Sequence, residues 1–430
     1  WTAVAFDARF VLYLGCLGGC ALPGIAYRWP LRLRPGKRLR PQRMPEETTR
    51  DVLADLIGFP TVSHDPNRQL INYCAGLLDD VGVDSQIIEN DEGSKANLFA
   101  TIGPADRRGV MLSGHTDVVP VAGQTWTKPA FEATEEDGRI YGRGTADMKG
   151  FVASALIAAR HAATRELKTP LHLALSYDEE IGCVGVRSLI NTLANAPVRP
   201  LMCIVGEPTG MRVATGHKGK TAIEAKCIGA EAHSAMAPTA VNAIHLACDL
   251  IAEIRNIQDE LAANGTKDHA YAVPYTTLHT GLINGGVALN IVPNAAYVKF
   301  EIRNLPNDDP EAILVQLKSA LEPIIATARE RAPQSNIILE VTNSYPGLDT
   351  ALEQDVFDLV TSLTGGNERI KVAFGTEGGL FSRDLDIPTV ICGPGFMDQG
   401  HKPNEFVSLD QLASCDAMLA ALNERLVTGL

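Results

Sequence analysis

Between residues 97 and 210 the chain alternates apolar, strand-like runs with helical segments, and this alternation constrains the fold more than any other feature of the sequence. The main helical pattern places Met148, Val152 and Leu156 on one stripe. Strands that alternate with helices are typical of a mostly parallel α/β sheet. The predicted strands are 97–102, 109–113, 170–176 and 201–205, and the predicted helix is 148–167.

A different order of elements begins near residue 220. It is strand, helix, strand, strand, helix, strand, which is the order of a ferredoxin-like α+β unit. The predicted elements are 221–228, 240–262, 274–283, 291–303, 309–328 and 336–343. A helix–strand–helix pattern returns over 351–430, so we predict an α/β domain that is interrupted by a small α+β domain.

The first 43 residues differ in charge from the rest of the chain. They hold eight basic residues and one acidic residue, whereas the whole sequence carries 38 Lys and Arg against 51 Asp and Glu. An apolar stretch over residues 10–27 precedes most of these basic residues, the reverse of their order in a signal peptide. We expect the protein to start at Met44, with an export or membrane signal and a genuine tail as the alternatives.

The composition also limits partners and compartment. The formal charge is −13, and nucleic acid requires a basic face, so we expect no nucleic-acid partner. We expect no membrane partner for residues 44–430 either. Nine cysteines in 430 residues, an odd number, are not typical of a disulfide framework, and this favours a reducing cytoplasm.

Side chains that can bind metal or move protons follow the predicted strands or open the predicted helix. Taken singly, each has an ordinary explanation. His115 with Asp117 fits a satisfied histidine and a capping aspartate, and Asp147 fits a helix N-cap. The acidic run 178–180 fits a solvated loop. Together the candidates share one kind of position, just after a predicted strand or at the start of the predicted helix. The residues of this set are His115, Asp147, Glu179, Glu180, Glu207 and His401.

Two imidazoles and several carboxylates at one sheet edge suit a pair of borderline divalent cations such as Zn²⁺ or Co²⁺. Without cations, carboxylates buried together would repel one another at a cost of several kcal/mol each. Neighbouring side chains on an extended chain point in different directions. Glu180 can therefore bind metal while Glu179 acts on water as a proton carrier.

Ten motifs follow one another between residues 113 and 407: SGHTDVVP, GRGTADMKG, SYDEEIGCVG, VGEPTG, GHKGK, EAHSAMAP, NIVPN, FEIRN, FGTEGG and GPGFMDQGHKPNEFV. In kind and order they closely resemble the M20 family of di-zinc amidohydrolases and peptidases. The resemblance extends over nearly all of residues 46–430 and over none of residues 1–43. It implies a catalytic domain formed by 44–218 and 346–430, and a domain at 219–345 that acts as a lid and mediates a homodimer.

The resemblance also assigns the metal ligands. One zinc ion would be held by His115, Asp147 and Glu207, and the other by Asp147, Glu180 and His401, with Asp147 bridging the two. The peptide bond that follows Asp147 would be cis. Asp117 would orient His115 from outside the ligand set.

Roles for the remaining candidates come from the same resemblance. Glu179 would be the general base, and His233 would reach from the lid into the partner's active site to stabilise the oxyanion. Arg303 would bind the substrate carboxylate with its guanidinium fork, or else form a surface salt bridge. Asn290 would be its polar neighbour, and Glu377 would meet a substrate amine or serve as a structural cap.

The substrate is expected to be a small N-acyl amino acid. The motif GHKG and the stretch 376–379 resemble the branch of the family that deacetylates 2-N-acetyl-L-ornithine in arginine biosynthesis. The alternatives are desuccinylation of succinyl-diaminopimelate, hydrolysis of another N-acyl amino acid, and dipeptidase activity. The peptidase branch often has Asp at the position of Glu207, which favours the deacylases.

Overall fold

The computed structural model describes residues 47–350 and 354–430, and a large mixed sheet organises most of this chain. Our interpretations of the first 43 residues lie outside the described residues. In the part that is described, none of the helices combines the length and apolar character needed to cross a membrane. The strands of the large sheet are β1 (Ser85–Glu89), β2 (Ala96–Ile102), β3 (Val110–His115), β6 (Leu171–Ser176), β7 (Met202–Pro208), β8 (Val213–His217), β13 (Leu348–Asp349), β14 (Arg369–Val372) and β15 (Thr389–Gly393).

The large sheet is parallel at its centre and antiparallel at its margins. Its strand order is β1-β2-β6-β3-β7-β15-β8-β13, with β14 also paired to β8. Strands β6, β3, β7 and β15 run parallel to one another. Every residue of β3 and β6 is buried, as expected of central strands that are covered on both faces. The predicted α/β class is confirmed, although β2, predicted within the parallel alternation, pairs antiparallel with both neighbours.

Helices cover the two faces of this sheet. The core on one face contains residues of α1, α2, α3, α7 and α9, and the core on the other face contains residues of α4 and α8. Their bounds are α1 (Thr49–Ile57), α2 (Arg68–Asp79), α3 (Gly150–Ala163), α4 (Val186–Ala194), α7 (Gln354–Thr364), α8 (Gly378–Leu385) and α9 (Leu409–Thr428). A short sheet consists of β4 (Thr134–Glu136), β5 (Arg139–Tyr141) and β16 (Phe406–Ser408).

The interrupting segment forms its own antiparallel sheet with the order β10-β11-β9-β12. Burial alternates along β9, so one face packs on the two helices and the other faces away. Strand order and connections together are those of the predicted ferredoxin-like unit. The elements are β9 (Lys220–Ile228), α5 (Ala243–Asn264), β10 (Thr277–Gly285), β11 (Ala295–Arg303), α6 (Pro310–Arg331) and β12 (Asn336–Tyr345).

The predicted helix 148–167 is wrong at both ends. Helix α3 starts at Gly150, because Asp147 and Met148 have non-helical backbone angles. It ends at Ala163, four residues before the predicted end. The Asp147–Met148 peptide bond is cis, and the Met148 side chain is fully buried. Asp147 is therefore not the N-cap of the helix, and its carboxylate is directed elsewhere.

Candidate metal centre

Three neighbouring parallel strands bring the candidate residues to one edge of the large sheet. Strand β3 ends at His115, and the register of β3 with β6 places His115 beside Ser176. The turn after β6 carries Glu179 and Glu180, and Glu207 lies near the end of β7 on the other side of β3. The carboxyl ends of parallel strands are where open α/β sheets form their clefts.

Asp147 lies between two histidines that are far apart in the sequence. Its Oδ1 is 3.0 Å from Nε2 of His115, and its Oδ2 is 3.1 Å from Nε2 of His401. Each carboxylate oxygen thus faces a different imidazole. Such an arrangement would allow Asp147 to offer one oxygen to each of two cations.

One further carboxylate accompanies each histidine. Glu207 Oε1 is 3.6 Å from His115 Nε2, and Glu180 Oε2 is 3.0 Å from His401 Nε2. The donors therefore form two sets that share Asp147. The ligand atoms of His115, Asp147 and Glu180 also lie within 4.8 Å of one another, as do those of His115, Glu179 and Glu207.

The electrostatics of the cluster favour cations. Burial and the negative charge of Asp147 raise the pKa of Glu180 to about 7, and they raise the pKa of Glu207 well above its usual range. Hydrogen bonds to Asp147 and Glu180 raise the pKa of His401 to about 10. Groups with such pKa values bind protons at the positions where divalent ions would compete with them. Oε1 of Glu180 is buried without a hydrogen-bond partner, so this donor set fits metal ions.

Glu179 sits beside the ligand sets. Burial raises the pKa of its carboxyl well above the usual range, opposed by His115 and reinforced by the neighbouring carboxylate of Glu180. The Cys183 thiol donates a hydrogen bond to Glu179 Oε1 across 3.4 Å. A carboxyl with a raised pKa near a metal cluster is suited to accept and return a proton.

Asp117 connects the end of β3 to the turn that carries the glutamates. His115 Nδ1 donates to the main-chain oxygen of Asp117 at 2.9 Å, which directs Nε2 towards Asp147. The Asp117 carboxylate accepts the N–H groups of Glu179 at 3.1 Å and Glu180 at 3.3 Å. It also accepts the Ser63 hydroxyl at 2.8 Å. Asp117 therefore supports both sides of the cluster, a wider role than orienting His115.

The structure places two lid candidates away from these contacts. His233 is exposed, and its Nδ1 accepts the Ala235 N–H at 3.1 Å. Asn290 is also exposed, and its main-chain oxygen accepts the Ser234 N–H at 3.0 Å. Both residues therefore lie together on an outer surface of the ferredoxin-like unit.

The other two substrate-binding candidates are partly or wholly enclosed. Arg303 Nε is 3.0 Å from Glu301 Oε1, and its Nη1 lies 3.4 Å from the Tyr345 hydroxyl. Glu377 is buried beneath the cluster, where the Ser113 hydroxyl lies 3.5 Å from its Oε2. Burial raises the pKa of Glu377 to about 7, and its Oε1 has no partner. Arg303 thus already pairs with an anion, whereas one oxygen of the Glu377 carboxylate lacks a hydrogen-bond partner.

Three buried charged residues near the cluster were missed by the sequence analysis. Arg143 and Glu405 form an ion pair, and Lys149 Nζ donates to the main-chain oxygens of Leu56 at 3.0 Å and Phe59 at 2.8 Å. Burial lowers the pKa of Lys149 to about 7. All three lie within the motifs GRGTADMKG and GPGFMDQGHKPNEFV. A charged residue inside a motif that also holds a metal-ligand candidate was the sequence signal that could have identified them.

A set of carboxylates and imidazoles on an α/β sheet, buried apart from the half-exposed His401 and accompanied by a further carboxyl able to move protons, defines a metal-dependent hydrolase. The model of peptidase family M20/M25/M40 matches residues 111–425. The chain belongs to this family, and it is a metal-dependent amidohydrolase.

Curated relatives point to one branch of the family. The acetylornithine deacetylase of Salmonella paratyphi B is 34% identical over 365 residues, which are 83% of this chain and 92% of that protein. The acetylornithine deacetylase of Salmonella newport matches with the same identity and coverage. The chain is thus an M20 hydrolase similar to acetylornithine deacetylase.

Solved structures share the fold at lower identity. The M20 metallo-carboxypeptidase Sso-CP2 of Sulfolobus solfataricus has a TM-score of 0.72 and 21% identity, with 89% of this chain and 100% of that chain covered. The YXEP protein of Bacillus subtilis, described as a dinuclear metal-binding peptidase, has a TM-score of 0.62 and 14% identity, with 89% and 98% covered. These likenesses establish the fold alone.

Proposed function

We propose that the protein hydrolyses the N-acetyl amide of 2-N-acetyl-L-ornithine to acetate and L-ornithine, a step of arginine biosynthesis. The observation that carries this proposal is the 34% identity to acetylornithine deacetylase over 92% of that protein's length. The cluster around Asp147 supports it, because both histidines and every carboxylate that the chemistry requires are present at one sheet edge.

We propose two divalent cations at this edge, Zn²⁺ first and Co²⁺ as the alternative. His115, Asp147 and Glu207 would hold one ion, and Asp147, Glu180 and His401 the other, in keeping with the two donor sets. Such ions act as Lewis acids that polarise a carbonyl oxygen and acidify water.

Glu179 would carry the proton through the reaction. As a water oxygen bonds to the amide carbon, the Glu179 carboxylate accepts the water's proton. It then gives this proton to the amide nitrogen while the C–N bond breaks, so acetic acid and a free α-amine are formed. The second water proton passes from the acid to the amine, so acetate and an ammonium group leave. The half-buried position of Glu179 beside His115 and Glu207 supports this role.

Substrate binding would use the enclosed candidates. We propose that Arg303 binds the α-carboxylate, to which its guanidinium can present two parallel N–H donors. Glu377, which is buried and has one unpartnered oxygen, would attract the side-chain amine of ornithine. Asn290 is not one of the enclosed candidates, and from its exposed position beside His233 it would add a polar contact from the lid.

We also propose a homodimer, formed through residues 219–345. Its support is the outer surface of this segment, where Leu282, Val287 and Leu289 are exposed. His233 of the partner subunit would then stabilise the oxyanion that forms on the substrate carbonyl. The hydrogen bond that Nδ1 of His233 accepts leaves the ring proton on Nε2, where it can be donated.

We propose a cytoplasmic location because the described cysteines are not paired in disulfides. The seven that the structure describes are free thiols, six of them buried, which is the usual state in a reducing compartment.

The substrate is tested by initial rates of the Zn²⁺-loaded protein on N-acetyl-L-ornithine and N-succinyl-diaminopimelate, measured side by side. We expect kcat/KM to favour the acetyl compound by about a hundredfold or more, which corresponds to about 2.7 kcal/mol of transition-state discrimination. The same rates are measured for the Glu377→Gln variant, which keeps the shape of the side chain and removes its charge. This comparison tests whether the Glu377 carboxylate contributes to the preference for the acetyl compound.

A preference for the succinyl compound would overturn the substrate but retain the amidohydrolase chemistry. Failure on both compounds, together with cleavage of dipeptides, would place the protein in the peptidase branch of the family.

A further inference from the structure

Arg143 and Glu405 form a buried ion pair next to the candidate ligands, although neither belongs to the ligand sets. Arg143 Nη1 is 2.6 Å from Glu405 Oε2, and both side chains are 1% exposed. Removing two charges from water is costly unless further hydrogen bonds satisfy them. The other contacts of this pair therefore indicate what it does.

Glu405 holds the backbone that carries Asp147. Its Oε1 accepts the N–H groups of Ala146 at 2.9 Å and Asp147 at 3.1 Å. Its main-chain oxygen accepts the Gly142 N–H at 3.0 Å. Glu405 thus holds both ends of the segment 142–147, through its main-chain oxygen at Gly142 and its carboxylate at Asp147.

Arg143 holds the segment that carries His401. Its Nη1 also donates to the Lys402 main-chain oxygen at 3.3 Å, and its Nη2 donates to Gln124 Oε1 at 2.6 Å. Gln124 Nε2 in turn donates to the main-chain oxygen of His401 at 2.8 Å. One guanidinium therefore connects the backbones of the two residues whose side chains meet at 3.1 Å.

We propose that Arg143, Glu405 and Gln124 are positioning residues for the donor set of Asp147, Glu180 and His401. The inference rests on the proposed two-metal centre. His401 lies in a turn, so neither a strand nor a helix holds its backbone. His115 and Glu207 lie within strands β3 and β7 and are held by the sheet. Gln124 holds the His401 segment, so loss of Gln124 weakens the second ion and spares the first. Glu405 also holds the shared Asp147, so loss of Glu405 weakens both ions.

The test is the zinc content of wild-type protein and of the Glu405→Gln and Gln124→Ala variants, after dialysis against a series of buffered free Zn²⁺ concentrations. We expect the weaker ion of each variant to dissociate at about 10- to 100-fold higher free Zn²⁺ than in the wild type, the usual effect of losing an outer partner. In Gln124→Ala the tighter ion is expected to change by less than about threefold, because Gln124 contacts the His401 segment and not the backbone of Asp147. In Glu405→Gln both ions are expected to weaken, because Glu405 holds the shared Asp147.

Arg160→Met is the matched control, since Arg160 is also buried and paired with an acidic residue, Glu47, but on α3. It is expected to lower the melting temperature and to retain zinc as the wild type does. Gln124 is only half-buried, so Gln124→Ala keeps the test decisive where Glu405→Gln fails to fold.

Equal weakening of both ions in Gln124→Ala, or wild-type affinities in that variant, would overturn the positioning role. Wild-type protein that binds fewer than two ions would instead overturn the two-metal centre, so the two failures are distinguishable.

Discussion

Replacing Glu179 with alanine is expected to lower kcat by about 10²- to 10⁴-fold, the usual contribution of a residue that transfers protons in the transition state. The metal content is expected to remain that of the wild type, because the two donor sets do not include Glu179. Steady-state kinetics and elemental analysis of the same preparation measure both quantities.

The exposed Glu132 supplies the control, and Glu132→Ala should behave as the wild type. Two results would contradict the role of Glu179. Loss of metal together with activity would show that Glu179 is a ligand. The test can detect this, because the carboxylate of Glu179 lies close enough to His115 and Glu207 to bind a metal ion with them. Retained activity would show that another group moves the proton.

The second large effect is expected at Asp147. Because its two oxygens face His115 and His401 separately, Asp147→Ala removes a donor from both sets and leaves two imidazoles without their shared anion. We expect the zinc content to fall from about two ions per protomer to fewer than about one, and hydrolysis to fall with it.

Asp84→Ala, at an exposed aspartate, is the control for losing one negative charge. An Asp147→Ala protein that still binds two ions, with its fold verified by circular dichroism, would contradict the bridging geometry. The zinc content of Asp147→Asn separates the charge of Asp147 from its shape, because the amide keeps the shape of the side chain and loses the charge.

Much of the fold follows from local patterns in the sequence. The alternation of strands and helices predicts the α/β class, and the closeness of His115, Glu180 and Glu207 follows from three parallel strands that end at one edge. The ferredoxin-like unit follows from element order alone. Local pattern suffices here because burial on both sheet faces produces long apolar runs.

Other features depend on contacts between distant segments. The apolar stripe through Met148 predicts a helix from that residue, yet the backbone turns there and places Met148 Sδ 3.4 Å from the His115 N–H. Tertiary contact overrides the periodicity at this position. The pairing of Arg143 with Glu405 joins residues 262 positions apart, which no local pattern encodes.

The two-metal hydrolase is tested most directly by titrating the metal-free protein with Zn²⁺ while bound metal and the hydrolysis of N-acetyl-L-ornithine are both followed. We expect no hydrolysis without metal, activity that returns as Zn²⁺ binds, and saturation at about two ions per protomer. Hydrolysis by the metal-free protein, or saturation at a single ion, would contradict the two-metal hydrolase.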